Sequence, residues 1–359
     1  MISKAFFEQL ESMAEEKQMN IEEILEATKR SISNSYRRSV GSQVNIPIRM
    51  EVKPEKHEIL FYAQYVAVSE IGEQIDGEPC QILLENAKKL KASVKVGDRF
   101  DVLIDPKKFG RIAASTGKQV FNQTLKGYEK EKVYAYFKQL ENEMISGDVI
   151  SVNDDYVTLS IGYDTTTLLP MKETLANDHF EVGDRVKVYL SSVEEGTKGP
   201  KIFVSRSDKN LVTRLMENII PEIASGVIEI KGIARDAGDR TKVSVYSSNP
   251  HVDAIGSCVG EKGSRIREVV SALNNEKIDL YLYSEDPAKL IANSLQPAKV
   301  LAVIDIDPKN KTSLAIVPDN QLSLAIGKQG QNVRLAVQSC GYKIDIKSES
   351  EAEKEHISY

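Results

Sequence analysis

Tryptophan is absent and cysteine is scarce, with Cys80, Cys258 and Cys340 the only three among 359 residues. They lie far apart and no Cys-x-x-Cys occurs, so spacing supports neither a disulfide framework nor a thiolate metal site. The four histidines, His57, His179, His251 and His356, are equally scattered. No catalytic constellation, metal or cofactor is expected from them. Cys258 and Cys340 sit within apolar patterns and read as small core residues. No run is long and apolar enough to suggest a membrane span, and Met1 to Glu11 carries charges inside a helical pattern, which argues against a secretory leader. A cytoplasmic monomer with no membrane partner is expected.

Strong charge of either sign is also lacking. The net charge of −6 divides unevenly. Lys plus Arg against Asp plus Glu is 20 against 19 over 1–130, 7 against 13 over 131–205, 19 against 17 over 206–347 and 1 against 4 over 348–359. A basic stripe therefore cannot carry any nucleic-acid affinity; local placement and several weak sites in series would have to do so.

What is present is one turn that occurs twice. Val259-Gly260-Glu261-Lys262-Gly263 and Ile326-Gly327-Lys328-Gln329-Gly330 each run from an apolar residue through G-x-x-G into an amphipathic helix. A third match, Gly196-Thr197-Lys198-Gly199, lies between alternating runs and reads as a hairpin turn. The first two share their surroundings. Ile266/Val333, Arg267/Arg334 and Val270/Val337 align without a gap, and Lys277-Ile278-Asp279-Leu280 matches Lys343-Ile344-Asp345-Ile346 after a one-residue slip. Upstream, Thr241–Val245 is set against Thr312–Ile316. Two copies of one unit follow, each reading strand, strand, short helix, G-x-x-G, helix, strand.

Such a turn suits a phosphodiester backbone. Glycine permits positive φ and close approach, and the helix that begins at the second glycine directs unpaired N–H groups and a positive dipole end outward. A KH module uses this loop to clamp about four nucleotides of single strand. Gly260, Glu261, Lys262 and Gly263, and Gly327, Lys328, Gln329 and Gly330, are therefore candidate RNA-binding residues. Arg265, Arg267 and Arg334 on the following helices would position the strand without reading sequence. The competing reading makes these cations ordinary helix-surface charges.

Residues 3 to 38 read as two helices. Phe6, Phe7, Leu10 and Met13 share a face of the first, and the second opens at Asn20 with Glu23 completing a capping box. Its basic end, Lys29, Arg30, Arg37 and Arg38, complements the helix dipole or binds a partner. Strand-like runs follow at 44–52, 59–68 and 99–104, with a weaker one near Ile82, and then a long helix over about 111–141. Ser115-Thr116-Gly117-Lys118 within it resembles a P-loop, but Gly110 lies two positions too far upstream and Gln119 replaces the magnesium-binding hydroxyl. Five short alternating runs between Ile145 and Ser205 predict an OB-like barrel, with Tyr156 and Tyr163 as candidate base-stacking or wall residues. Asp286-Pro287 predicts a helix start between the two copies. Ser348 to Tyr359 reads as a solvated acidic tail.

The order of these parts resembles the NusA family of bacterial transcription factors. The specific stretches are Gly238-Asp239-Arg240-Thr241-Lys242-Val243, Gly256 to Arg265, Gln321 to Asn332, and Phe109-Gly110-Arg111-Ile112-Ala113-Ala114. The resemblance implies a multidomain α+β chain. Its parts would be an N-terminal RNA polymerase-binding domain (1–130), an S1 barrel of the OB fold (131–205), tandem prokaryotic-type KH domains (206–283 and 284–347) and the tail (348–359). It implies no enzyme, with RNA polymerase, nascent single-stranded RNA and other antitermination factors as partners, and modulation of pausing, intrinsic termination and antitermination. Lys29, Arg30, Arg37 and Arg38 are the candidate polymerase contacts. One departure is Tyr342, where the family often carries Trp. The rival reading is a ribosome-associated or RNA-decay protein using the same modules.

Overall fold

In the computed structural model, which describes residues 4–16, 19–53, 58–75, 77–108, 111–197 and 199–359, the chain divides after residue 132 into two units. The first begins with helices α1 (Lys4–Glu16) and α2 (Ile21–Ser39). The Asn20 side chain accepts from Glu22 N at 3.0 Å and Glu23 accepts from Asn20 N at 3.1 Å, so the capping box is built as the sequence predicts. Leu10 of α1 is buried, whereas the side chains of Phe6 and Phe7 lie outside the described residues. Strands β1 (Ile48–Lys53), β2 (Glu58–Val68) and β3 (Cys80–Leu83), helix α3 (Leu84–Leu90) and β4 (Arg99–Leu103) follow. β2 is the central strand, pairing with the other three. Its strict alternation buries Ile59, Phe61, Ala63, Tyr65 and Ala67, the period-2 pattern of a half-buried sheet. α3 is legible only in the structure, because it is short, uncapped by any side chain and buries Ala87 alone.

Helix α4 (Arg111–Gln139) carries the glycine of the rejected P-loop. A Cβ on Gly117 would stand 2.1 Å from Ser35 Oγ, and Ser31 Oγ donates to Gly117 O at 2.8 Å. The residue is there to let α2 and α4 approach closely. Phe109 and Gly110 lie outside the described residues, as do the side chains of Ile112, Ala113 and Ala114.

The second unit opens with a barrel. Strands β5 (Met144–Val152), β6 (Tyr156–Ser160), β7 (Thr166–Pro170), β8 (Arg185–Glu194) and β9 (Lys201–Ser205) lie in the order β7-β6-β5-β8-β9. Thr167 Oγ1 donates to Ile202 O at 2.6 Å, bringing the outer strands together so that the sheet nearly closes. Phe137, from the end of α4, is buried among Val149, Leu159, Leu169 and Val188. The Gly196–Gly199 turn links β8 to β9 as a hairpin, although Lys198 is outside the described residues.

Two copies of one motif follow. The first comprises α5 (Lys209–Ile219), α6 (Pro221–Ala224), β10 (Ile228–Asp236), β11 (Arg240–Ser247), α7 (Ala254–Val259), α8 (Ser264–Ala272) and β12 (Lys277–Leu282). The second comprises α9 (Pro287–Ser294), β13 (Ala302–Asp307), β14 (Thr312–Val317), α10 (Leu322–Ile326), α11 (Gln331–Cys340) and β15 (Lys343–Ser348). Asp286 caps α9 by accepting from Ala288 N at 3.0 Å, as Asp286-Pro287 predicts. Each copy has a three-stranded sheet in sequence order, antiparallel then parallel.

The strand register corrects the upstream alignment by one residue. Arg240 pairs with Lys277 and Thr312 with Lys343, so Lys242 corresponds to Leu314 and not to Ser313. Matching threonines misled the alignment, whereas face parity decides the register.

Barrel and copies are bolted together. Arg206, 3% exposed, binds Asp178 through Nε at 2.7 Å and Nη2 at 2.8 Å and donates to Lys187 O, while Asn274 Nδ2 donates to the same carboxylate at 2.6 Å. Between the copies, Tyr281 OH donates to Ser339 Oγ at 2.9 Å, and Gly232 passes so close to α11 that a Cβ would stand 2.0 Å from Ser339 O. The acidic tail differs from expectation. Glu349–Lys354 form helix α12 behind a Ser348–Glu351 capping box, and Ala352 is buried against Leu314 and Ile316. Ile357 packs on the same cluster, and Ser350 donates to Asp319 from its backbone N at 3.2 Å and its Oγ at 2.5 Å, so the segment is docked by apolar and polar contacts together.

Candidate nucleic-acid interface

The two G-x-x-G turns adopt one backbone. Gly260 stands at φ 73°, ψ 175° and Gly327 at φ 76°, ψ 170°, a region open essentially to glycine alone. The third residues are left-handed, Lys262 at φ 49°, ψ 29° and Gln329 at φ 52°, ψ 31°. Gly263 and Gly330 follow at φ 76° and φ 74° and open the next helices. Each turn is closed by a bond from its last glycine N–H to its first glycine carbonyl, at 3.1 Å in both. The two copies hold the same costly backbone geometry although the residues between their glycines differ. Glu261, Lys262, Lys328 and Gln329 all point into solvent-accessible space.

The arginines divide by role. Arg265 lies beneath the first turn: Nη1 donates to Ser257 O at 2.7 Å and to Glu222 at 2.9 Å, and its Cγ would be 2.8 Å from a Cβ on Gly260. Arg267 Nη2 donates to Lys262 O at 2.6 Å, bracing the turn from outside. Arg334 pairs with Asp236 of the first copy at 2.9 Å, beside Gln331, which reaches Asp236 at 2.8 Å and Asp239 at 2.6 Å. All three support the loops or the junction between copies. That leaves Lys262 and Lys328 as the lysines on the turns themselves.

Beside the first turn runs a cleft of about 760 Å³. Ile255, Val259 and Ile266 line it together with Ile278 and Leu280 of β12 and the segment Gln296 to Val300 that enters the second copy. The lining is mixed, aliphatic side chains alternating with polar ones. Polar groups also line it: Asp279, which pairs with Arg240 at 3.2 Å, Asn293, Gln296 and the cation Lys299.

The other candidates are dispersed. Tyr163 is exposed but already tilts against Tyr136 at 4.4 Å, and Tyr136 sits edge-on to Phe137 at 5.1 Å; Tyr156 is half-buried in β6. The sequence marks Tyr136 as one of the apolar positions of the long helix, and nothing in its helical spacing signals the contact with Tyr163. In the first unit, Lys29 and Arg30 both lie 3.6 Å from Glu26, Arg37 reaches Asn34 at 3.4 Å and Arg38 is exposed. Burial pushes the Cys258 thiol up to about 11 and raises Cys80 and Cys340, so the cysteines are core residues. Among the described residues no cluster of His, Cys, Asp or Glu could hold a metal ion, and no helix is long and apolar enough to cross a membrane.

A nearly closed five-stranded barrel followed by tandem strand-first KH motifs defines an S1–KH protein of the RNA-binding class. Comparison with known proteins narrows this. Family models match the NusA N-terminal domain over residues 5–131, the NusA-like first KH domain over 206–283 and the NusA-like second KH domain over 287–354. The transcription termination/antitermination protein NusA of Halalkalibacterium halodurans is 40% identical over 353 residues, covering 98% of this chain and 90% of that protein. Its namesake from Bacillus subtilis is 40% identical over 351 residues, covering 98% and 92%. A solution structure of the N-terminal domain of NusA from B. subtilis is 29% identical and covers 36% of this chain and 98% of that one, with a TM-score of 0.24. The chain belongs to the NusA family.

Proposed function

We propose that this chain is a transcription termination/antitermination factor that binds RNA polymerase and nascent single-stranded RNA and modulates pausing, intrinsic termination and antitermination by binding, without chemistry of its own. The observation that carries the reading is the pair of identically shaped G-x-x-G turns, one with a cleft beside it, held in one unit. Residues 1–130 are the polymerase-binding domain, 131–205 the S1 barrel, and 206–283 and 284–347 the two KH domains. Lys262 and Lys328 supply phosphate charge; Arg265, Arg267 and Arg334 hold the turns and their junction. Tethering to polymerase makes weak RNA contacts effective, since the local RNA concentration is then set by geometry. The factor works in the cytoplasm as a monomer, alongside other antitermination factors.

The test is single-stranded RNA binding by the full chain at two salt concentrations, native against the double change Lys262→Asp, Gln329→Asp, with polymerase capture measured in parallel. Salt-sensitive binding that the double change abolishes, with polymerase capture intact, is the expected result. Unaltered RNA binding by the double variant would refute it.

A further inference from the structure

Lys242 lies on the central strand of the first KH motif and is 1% exposed. Its side chain leaves that motif altogether. Nζ donates to Ser294 O at 2.7 Å, to Gln296 O at 2.7 Å and to Asn332 Oδ1 at 2.8 Å. An ammonium has three donors, and all three are used.

Each acceptor occupies a working part of the second motif or of the shared cleft. Ser294 ends α9, the helix that precedes the second sheet. Gln296 lines the cleft beside the first turn. Asn332 is the second residue of α11 and lies under the second turn: its Nδ2 donates to Leu295 O and Ala325 O, both at 3.0 Å, and a Cβ on Gly327 would be 2.7 Å from its backbone N. One cation therefore spans from the first sheet to the cleft wall and to the support of the second turn.

Packing alone does not require a cation here. The corresponding position in the second copy is Leu314, covered by Ala352 of α12, so the same face of the same fold is filled by an apolar side chain. A buried charge carries a desolvation cost that a leucine does not.

We infer that Lys242 is a positioning residue for RNA, holding the second turn in fixed register with the first so that both engage one strand as a bivalent site. This rests on the RNA reading above. Weak sites in fixed register gain from effective concentration, whereas the same sites on loosened modules lose that gain without losing their individual affinities.

The experiment uses the full chain and two single-stranded RNA probes, one of about 5 nucleotides that fills one turn and one of about 12 that reaches both. Lys242→Met should bind the short probe within about twofold of native and lose roughly tenfold or more on the long one. Tyr281→Phe, which removes a bond between the motifs without touching either turn's support, should match native on both. Equal losses of Lys242→Met on the two probes, no loss on the long probe, or an equal loss from Tyr281→Phe would each overturn the assignment. Should Lys242→Met fail to fold by circular dichroism, Lys242→Gln carries the same expectation. The change Lys262→Asp, Gln329→Asp separates the two ideas. If native protein binds neither probe, or the double variant binds as native does, the RNA reading fails and the inference with it. If the double variant loses binding but Lys242→Met keeps native affinity for the long probe, the inference alone fails.

Discussion

The two glycines of a G-x-x-G turn should not be equally replaceable, and the second loop gives the cleanest contrast. At Gly330, φ 74° and ψ 14° place the residue in the left-handed helical region, and a Cβ would meet nothing within 4 Å. Alanine there incurs only the left-handed backbone cost, on the order of 1–2 kcal/mol. At Gly327, φ 76° and ψ 170° lie where side chains are essentially never found, a cost on the order of 1–3 kcal/mol. Its Cβ would also stand 2.7 Å from Asn332 backbone N, which cannot swing away, and such overpacking adds about 1–3 kcal/mol. Gly327→Ala should therefore destabilise by about 4 kcal/mol against about 1–2 kcal/mol for Gly330→Ala. In a unit of this size that corresponds to a fall in melting temperature of about 8–16 °C against about 2–8 °C. Differential scanning calorimetry of the two variants measures this directly. Equal shifts would mean that the turn relaxes freely, and the case for a pre-shaped loop would go with it.

Other expectations follow from the same geometry. Gly330→Asp puts a carboxylate into open space on the loop, so it should weaken RNA binding with a stability loss similar to Gly330→Ala, checked by anisotropy beside calorimetry. Glu276, which is fully buried, bridges Arg235, Thr241 and Gly238 N, and Glu276→Ala strands the Arg235 charge; denaturant titration should show a loss of about 3–5 kcal/mol. Burial pushes the Lys242 ammonium down to about 8; Asp279 and Cys340 oppose that shift and Arg240 adds to it. Between that value and the unfolded lysine value of about 10.4 the unfolded chain binds more protons, so stability of native relative to Lys242→Met should rise with pH over this window. A flat difference in parallel denaturant titrations at pH 7 and pH 10 would contradict it. Native protein should label slowly with a thiol reagent at Cys258, and rapidly once unfolded.

Much of this molecule is written in short stretches of chain. The repeat of the turn, the strand-strand-helix-turn-helix-strand order, the Asn20 and Asp286 caps and the barrel's five strands all come from local steric and hydrogen-bonding preferences, which act over a few residues and so leave a readable pattern. Even the rejection of Ser115-Thr116-Gly117-Lys118 as a phosphate loop needed only spacing. What that glycine is for, close contact between α2 and α4, needed the fold. So did the roles of the cations. Arg265, Arg267, Arg334 and Lys242 look alike as sequence letters, yet two brace a turn, one pairs with Asp236 across 98 residues of chain and one reaches Asn332 across 90. Whether a charged side chain meets phosphate or protein is decided by which carboxylates and carbonyls folding brings within hydrogen-bond reach, and partners so distant leave no periodic trace. The tail shows the same limit: its acidity is plain in the sequence, but α12 docks through Ala352 and Ile357 on Leu314 and Ile316 and through Ser350 on Asp319, contacts that exist only once the second sheet has formed.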